Sequence, residues 1–316
     1  MKRLPLSLAL PCLFPASAFA DVFTGFSMDF VPIGDAGNAA DNTGYGSVGY
    51  TYRMGVNEVS RAMIDSYNTN SGGPTITMYD FAVGWGITGG HPATGVSWNE
   101  AARFVNWLNT SNGHSPAYNF TTGGANDNIT LWGVGDAGYD PANPFRNSNA
   151  YYFLPSEDEW YKAAYYDPNA NGGTGGYWDY ATGSNSAPTA VTGGTSGAVY
   201  GDLFPPGPAL VTDAGGLSPY GTMAQNGNVW ELGESGYTAP NDSAGESRVL
   251  RGGGWSNYHA VDMQPSFRAY DSPADESLFS GFRVAAIAEV SSIPEPSGVL
   301  TIVLVVMGSL LTRKRA

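Results

Sequence analysis

The fold is decided near the C-terminal end, by RVLRGGGWSNYHAVDMQPSFRAY (Arg248–Tyr270) and, a few residues later, by SGFRVA (Ser280–Ala285). Consecutive glycines beside a tryptophan allow backbone conformations and close approaches that side chains forbid elsewhere, which favours a constrained site over an unordered loop. Arg251, Arg268 and Arg283 recur through the two stretches. Because an arginine fork holds a carboxylate through two hydrogen bonds, we expect these arginines to brace loops from the inside.

Three helices are predicted upstream, each from its capping signal. In VSWNEAARFVNWLN and LPSEDEWYKAAYYDP a serine stands three residues before a glutamate, Ser97 before Glu100 and Ser156 before Glu159, which is capping-box spacing. In VSRAMIDSYN, Ser60 is the expected N-cap. The predicted strands are Asp29–Ile33, Gly49–Arg53, Tyr151–Leu154, Arg248–Arg251 and Gly281–Ala285. Few helices and short strands indicate an α+β fold with little regular secondary structure.

The composition indicates one domain that is rich in ordered loops. Gly (43 residues) and Pro (21) are abundant, which predicts many turns. Aromatic residues make up 13% of the chain and supply large, rigid side chains to pack irregular segments. No linker-like tract interrupts residues 21–290. We therefore expect a single domain over 21–290, flanked by two targeting segments.

The first twenty residues have the order of a secretory signal peptide. Lys2 and Arg3 precede an apolar stretch, which ends in the small-residue motif Ala18-Phe19-Ala20. We predict a signal peptide over residues 1–20, removed before Asp21. The domain that follows is then an exported one.

The last residues form a second targeting segment. Pro294-Glu295-Pro296 precedes an apolar run, and Arg313-Lys314-Arg315 follows it. The run is shorter than the ~20 residues of a spanning helix, and the basic triplet favours the cytoplasmic face. Residues 291–316 thus resemble the PEP-CTERM sorting signal of Gram-negative bacteria, which implies processing by an exosortase and a place at the cell surface or in the extracellular matrix. A permanent transmembrane anchor is the alternative, and membrane contact is expected only through this segment.

Charge and cysteine content exclude several classes of function. The formal net charge is −14 at pH 7, so the surface repels nucleic acid and we exclude nucleic-acid binding. The chain has one cysteine, Cys12, which lies in the predicted signal peptide. The mature protein is therefore expected to have no disulfide, no thiolate metal site and no cysteine nucleophile.

Six landmarks follow one another over nearly the whole predicted domain, from about Val31 to Ala286. In order they are GYTYRMGVNEVSRAMIDSYN, TGVSWNEAARFVNWLN, YFLPSEDEWYKAAYYD, QNGNVWELGE, RVLRGGGW and SGFRVA. This series resembles the formylglycine-generating enzyme family, also called the sulfatase-modifying-factor domain. The resemblance implies a single α+β domain related to C-type lectins, often with bound calcium.

The resemblance also implies that the family's oxidase chemistry is missing here. Members oxidise a sulfatase cysteine to formylglycine, using two cysteines after the RGG motif to hold copper. Asn257 stands at the first of these positions and Asp262 at or near the second, while Gly254 replaces a serine. Because copper(I) needs soft thiolate ligands, we expect no copper and assign no catalytic residue.

Two other chemistries were weighed as alternatives. Sulfoxide synthases that carry this domain bind iron through histidines contributed largely by a separate helical domain. This chain has only His91, His114 and His259, which are widely separated. A Ser-His-Asp arrangement could be drawn from Ser256, His259 and Asp262, but no G-x-S-x-G-like turn supports it. Surface or loop histidines are the simpler interpretation.

A structural calcium ion is the cofactor that the resemblance supports. In family members the GNVWE segment wraps calcium with backbone carbonyls and one carboxylate. Here Gly227 and Val229 would offer carbonyls and Glu231 the side chain, which are the oxygen donors that calcium prefers. Ala224 departs from the pattern, because relatives often have Asp or Asn there, and this weakens the predicted site.

The candidate residues of a ligand cleft are Trp255, Asn257, His259 and Arg268. Core packing is the alternative for Trp255, whereas Arg268 lies where the family has a cleft arginine. The missing thiols favour a binding or structural module for a peptide or glycan at the cell surface, and so a protein that is not an enzyme. The alternative is an enzyme that modifies exported polypeptides through the retained cleft by a cysteine-independent chemistry.

Overall fold

The computed structural model describes residues 18–81, 85–203, 207–238 and 242–288. The predicted sorting segment and residues 1–17 of the predicted signal peptide lie outside these ranges. Among the described residues, no helix has the length and apolar character needed to cross a membrane.

The three predicted helices are confirmed as α1 (Arg61–Asn70), α2 (Trp98–Ser111) and α3 (Glu157–Tyr165). Capping boxes begin α2 and α3: the serine hydroxyl accepts from the backbone N–H of the glutamate, whose carboxylate accepts from that of the serine. Ser60 precedes α1 in an extended conformation, but its hydroxyl makes no capping bond to the described residues. Packing therefore holds the start of α1, where Ile64 is fully buried.

The strands form two main sheets and two small pairs. In chain order they are β1 (Phe19–Phe23), β2 (Phe26–Ile33), β3 (Tyr52–Gly55), β4 (Tyr152–Phe153), β5 (Tyr166–Asp167), β6 (Gly176–Tyr177), β7 (Ala190–Val191), β8 (Ala198–Val199), β9 (Trp230–Gly236), β10 (Arg248–Arg251), β11 (Ala269–Asp271), β12 (Ser280–Gly281) and β13 (Ala285–Ile287). One sheet has the order β1-β2-β3-β13-β4 and the other the order β11-β10-β9-β12. The pair β9-β12 is parallel, while the other neighbours in these two sheets are antiparallel.

The prediction of one strand over Gly281–Ala285 is wrong. β12 ends at Gly281 in the four-stranded sheet, and β13 begins at Ala285 in the five-stranded sheet. Residues 282–284 therefore connect the two sheets, and both Phe282 and Val284 are fully buried. These three residues, Phe-Arg-Val, have the composition of a strand, but they belong to neither sheet.

The strand β1 overlaps the predicted signal peptide. It begins at Phe19, and the pairs Phe19–Phe30 and Ala20–Asp29 open its ladder with β2. Asp21 follows, and its carboxylate accepts from Arg53 Nη2 at 2.9 Å. Cleavage after Ala20 stays a prediction, and it would shorten this ladder by two pairs.

The largest core lies between α2 and the five-stranded sheet. The α2 residues that were predicted to share one face are all fully buried: Ala101, Phe104, Val105 and Leu108. The Phe104 ring meets Phe282 edge to face, with centroids 5.8 Å apart. The Trp98 indole N–H donates to the Gly233 carbonyl at 3.0 Å, which ties α2 to β9 in the other sheet.

Buried arginines brace the domain, as the sequence suggested. Arg283 and Glu231 are both inaccessible and lie 2.5 Å apart. Arg146 bridges Glu159 and Glu234, at 2.8 Å from each carboxylate. Removing one member of such a pair leaves an uncompensated charge in the interior, which is strongly destabilising.

Replacing Arg283 by Met is expected to lower the free energy of unfolding by about 3–5 kcal/mol, because Glu231 then stays buried without its counter-ion. Urea unfolding of the full chain measures the loss. The matched control is Arg61→Met, since Arg61 is only half-buried and donates to the Tyr79 carbonyl at 2.9 Å. The control should lose no more than about 1.5 kcal/mol. Equal losses in the two variants would contradict the bracing role.

Candidate functional site

The RGGGW segment is a tight loop that depends on its glycines. Gly252 and Gly253 have φ angles of 97° and 71°, in the left-handed region that glycine tolerates. A Cβ atom on Gly253 would lie 2.8 Å from Met263 Cγ, and one on Gly254 would lie 3.4 Å from Trp230. The loop therefore packs directly against Met263 and Trp230, which makes it the constrained site that the sequence predicted.

The two residues predicted at or near the positions of the family's cysteines lie side by side. Asn257 Nδ2 donates to Asp262 Oδ2 at 2.8 Å, and Asn257 Oδ1 accepts from the Gly254 backbone N–H at 2.7 Å. Both side chains are half-buried. Asp262 Oδ1 has no hydrogen-bond partner among the described residues, so the pair presents a fixed amide and an unspent carboxylate oxygen.

A neighbouring loop closes against this pair. The Gly201 N–H donates to the Asn257 carbonyl at 2.7 Å, and the Asp202 N–H donates to the Trp255 carbonyl at 2.9 Å. The hydroxyl of Tyr258 donates to Asp202 Oδ2 at 3.1 Å, although the Tyr258 side chain is 71% exposed. These bonds hold an accessible aromatic ring next to Asn257.

Further aromatic rings lie at the RGGGW loop, where a Cβ atom on Gly254 would lie 3.4 Å from Trp230. Ring centroids lie 5.7 Å apart for Trp230 and Phe267, and 5.6 Å apart for Trp255 and Phe279. Phe267 and Phe279 are 36% and 39% exposed, whereas Trp255 is only 6% exposed. Trp255, a predicted cleft residue, thus belongs mainly to the core. We call Trp230, Tyr258, Phe267 and Phe279 the aromatic surface.

Arg268, another predicted cleft residue, is already held by the protein. Its Nε and Nη2 atoms donate to the two oxygens of Glu157 at 2.6 and 2.7 Å. The guanidinium lies 4.6 Å from the centroid of the Tyr237 ring and 5.0 Å from that of Tyr45. Arg251 donates to the same carboxylate at 2.8 Å. Arg268 therefore links the start of α3 to the segment before β11, and bracing is its evident role.

The histidines do not form a metal site. His259, which is also a predicted cleft residue, is exposed and lies just before the 3₁₀ helix Ala260–Met263. His91 accepts a backbone hydrogen bond within its own loop, and His114 stacks on a tyrosine. Within the described ranges, no group of three or more His, Cys, Asp or Glu side chains could hold a metal ion. Asn257 and Asp262 offer only hard oxygen and amide donors, which do not fit copper(I).

The predicted calcium carboxylate has other partners. Arg283 donates to both oxygens of Glu231 at 2.5 Å, and the Trp160 indole N–H donates at 2.6 Å. Ala224 has a φ of 65°, a left-handed conformation that costs a residue with a Cβ atom about 1–2 kcal/mol. Calcium binding by the GNVWE segment stays a prediction, and the ion would compete with Arg283 and Trp160 for Glu231.

A buried carboxyl that the sequence did not single out lies in the same network. Glu58 is inaccessible, and one of its oxygens accepts from Asn228 Nδ2 at 2.5 Å. Burial and the charge of Glu231 raise the pKa of Glu58 well above its ordinary value of 4.5, against the opposing charge of Arg283. The only hint in the sequence was an acidic residue beside Val59, just before α1.

The family is decided by a match over almost all of the described residues. Residues 20–288 match the sulfatase-modifying factor enzyme 1-like domain family. The chain belongs to this family. The resemblance read from six landmarks is confirmed, whereas the sorting signal and the relation to C-type lectins stay predictions.

Three curated relatives are hercynine oxygenases, each 34% identical to this chain. They come from Mycolicibacterium smegmatis, Mycolicibacterium thermoresistibile and Mycobacterium tuberculosis, and the aligned parts have 149, 149 and 146 residues. Each alignment covers 42% of this chain, and 32, 31 and 32% of the relatives, so the chain spans about a third of their length. Because these relatives are named as enzymes, they give no support to the expectation of a protein that is not an enzyme.

Solved structures share the fold. Treponema denticola variable protein 1 has a TM-score of 0.60 and 20% identity, and the match covers 86% of this chain and 99% of that one. CarF has a TM-score of 0.54 and 19% identity, and the match covers 83% of this chain and 99% of that one. PvdO from Pseudomonas aeruginosa has a TM-score of 0.55 and 16% identity, and the match covers 88% of this chain and 100% of that one. At these identities the likeness concerns the fold alone, which is the predicted α+β arrangement of helices and curled sheets.

Replacing Glu58 by Gln is expected to flatten the pH dependence of stability. A carboxyl with a raised pKa binds its proton more tightly in the folded state, so its contribution is complete below pH 4.5 and is lost as the pH rises towards the folded-state pKa. Relative to the wild type, the variant should therefore gain stability between about pH 5 and about pH 8. Urea unfolding across this range tests the expectation.

The control for this experiment is Glu276→Gln, at an exposed carboxylate. The free-energy difference between this variant and the wild type should not change with pH over the same range. A constant difference between Glu58→Gln and the wild type would show that Glu58 is ionised in both states, contrary to the expected effect of burial.

Proposed function

We propose that the chain is a binding module in which the family's redox site has become a surface for a polypeptide or glycan ligand. The observation that carries the proposal is the Asn257–Asp262 hydrogen bond, 2.8 Å long, between the residues predicted to stand at or near the positions of the family's two cysteines. An amide and a carboxylate readily form hydrogen bonds with a ligand. As metal ligands they are hard, and they do not suit copper(I). The only cysteine of the chain, Cys12, precedes the domain.

The chemistry of the surface suits an uncharged, hydrogen-bonding ligand. The unspent oxygen of Asp262 accepts an N–H or O–H group, and the aromatic surface offers apolar faces beside it. Aromatic rings contribute large contact area with few rotatable bonds, so they lose little conformational entropy on binding. A peptide backbone or a sugar ring presents this combination of polar edge and apolar face.

The two targeting segments support a place for this module outside the cytoplasm. The predicted signal peptide would export the chain, and the predicted PEP-CTERM segment would make an exosortase its processing partner. The ligand would then be met at the cell surface or in the extracellular matrix. The negative charge of the chain suits a partner that is neutral or positively charged.

The double variant Asn257→Ala/Asp262→Ala is expected to weaken ligand binding at least about tenfold, because both polar contacts are removed. Interferometry with immobilised extracellular polysaccharide from the producing cells, and with a peptide array, measures binding. The control is Asp65→Ala/Asn70→Ala, which removes two exposed polar side chains from α1. Unchanged affinity in the Asn257/Asp262 variant, with a normal melting temperature, would refute the assignment.

An enzyme is the second candidate, and the comparisons favour it over the binding module. The 34% identity to proteins named hercynine oxygenase carries this candidate. Among the described residues, no group of three or more His, Cys, Asp or Glu side chains is placed to hold a metal ion. Chemistry on a ligand at Asn257 and Asp262 would then be cysteine-independent, with Asp262 as the nearest group able to accept a proton.

The two candidates are separated by assaying the full chain with hercynine under air, with and without ferrous iron. The binding module predicts oxygen consumption no higher than in a control without protein, and unaltered hercynine by mass spectrometry. An oxygenated product formed by the wild type and lost in Asn257→Ala/Asp262→Ala would establish the enzyme.

A further inference from the structure

A polar cavity lies beside the segment that immediately precedes Phe267. It has a volume of about 300 Å³, and three segments line it: Asp41–Thr43, Tyr177–Asp179 and Gln264–Ser266. This volume is at the lower end of the range of ~300–1,000 Å³ that is typical of small-molecule sites. The third segment runs directly into Phe267 of the aromatic surface, so the cavity and that surface are neighbours.

The polar side chains around this cavity keep unused hydrogen-bonding capacity. The carboxylate of Asp179, the side-chain amide of Asn42 and the hydroxyl of Ser266 make no hydrogen bond to the described residues. Gln264 donates through Nε2 to a tyrosine hydroxyl at 3.2 Å, which leaves its Oε1 atom to accept. In the interior, by contrast, the Asn109 amide is fully used, with its Nδ2 and Oδ1 atoms both bonded to backbone groups.

One wall of the cavity is the indole of Trp178. Its Nε1 donates to Asp167 Oδ2 at 3.2 Å, which fixes the orientation of the ring. Trp178 is half-buried, and no aromatic ring of the described residues packs on it, unlike Trp98 or Trp160. An indole held in place next to acceptors and an amide suits a sugar ring, whose C–H face is apolar and whose hydroxyls lie at its edge.

Charge narrows the class of sugar. Asp41 and Asp179 contribute two carboxylates to the lining, and no lysine or arginine is among its residues. The carboxylate of Asp41 already accepts two hydrogen bonds, from the Tyr161 hydroxyl at 2.5 Å and from the Asn42 N–H at 2.7 Å. A uronic acid or a sulfated sugar would meet like charge here, which disfavours it.

We infer that this cavity is a subsite for one neutral hexopyranose unit of a glycan. The inference deepens the proposed function, because it selects a glycan over a polypeptide and extends the ligand from the aromatic surface into the cavity. Trp178 stacks on the sugar ring, Asp179 and Gln264 accept hydrogen bonds from its hydroxyls, and Asn42 donates or accepts at the open side.

The test uses the full chain and defined probes: linear oligosaccharides of glucose, mannose and N-acetylglucosamine, with oligogalacturonate as the anionic and oligolysine as the cationic comparison. Titration calorimetry should show binding of at least one neutral oligosaccharide and none of oligogalacturonate. Trp178→Ala should weaken that binding at least about tenfold, and Asp179→Asn should weaken it severalfold. Tyr79→Ala, at an exposed aromatic outside the cavity, should leave it unchanged.

Several results would overturn the inference. They are the absence of binding by every neutral oligosaccharide at millimolar concentration, full affinity in a folded Trp178→Ala variant, and preference for oligogalacturonate. Oligolysine binding that depends on Trp178 and Asp179 would also overturn it, in favour of a cationic peptide.

A comparison of variants separates this inference from the proposed function. If Trp178→Ala loses glycan binding while Asn257→Ala/Asp262→Ala keeps it, the cavity stands and the proposed surface fails. The reverse pattern keeps the surface and removes the cavity.

Discussion

The domain depends on the buried ion pair between Arg283 and Glu231. Glu231 belongs to β9 in the four-stranded sheet, and Arg283 lies in the segment that carries the chain from β12 into β13 of the five-stranded sheet. The same guanidinium donates to the carbonyl oxygens of Gly55 and Met223 at 2.9 and 2.7 Å. Because a buried charge is tolerated only when its hydrogen bonds are satisfied, both sheets and the loop before β9 are set by one side chain. The landmarks QNGNVWELGE and SGFRVA thus each supply one partner of this ion pair.

The sequence predicts the parts of this fold that depend on near neighbours. Ser97 and Glu100 are three residues apart, so their capping box can be read directly from the chain, and the start of α2 follows. By contrast, β9 (Trp230–Gly236) was not anticipated, because its two glycines and two glutamates conceal a strand that is buried on nearly every residue. Glu58 was overlooked for a related reason: its partners Asn228 and Glu231 are remote in sequence. Buried polar networks are defined by the tertiary fold, which local patterns do not encode.

The candidate site also has features that near neighbours in sequence determine and features that distant residues determine. Asn257 and Asp262 are close in sequence, and their proximity in space follows from a single short 3₁₀ helix, Ala260–Met263, which contains Asp262. The sequence left two roles open for Trp255 and for Arg268, a place in the cleft or an internal one, because the residues that decide between them are distant: Trp255 is buried and Arg268 is held by Glu157. In an acidic chain with few arginines, an arginine pairs with a buried carboxylate rather than remaining in solvent. A buried carboxylate without a counter-ion lowers the stability of the fold more than a solvated arginine can raise it.

The frame of the site is independent of its reactive groups. Arg251 Nη1 donates to the carbonyl oxygens of Pro265 and Phe267, at 2.5 and 2.8 Å, and so fixes the segment that lines the cavity and ends in Phe267. None of these bonds involves Asn257 or Asp262, so the two family cysteine positions accept an amide and a carboxylate without disturbing the loop. A loop that is already fixed loses little conformational entropy when a ligand binds. A rigid segment of this kind would therefore favour the ligand binding proposed here, whether or not chemistry follows at Asp262.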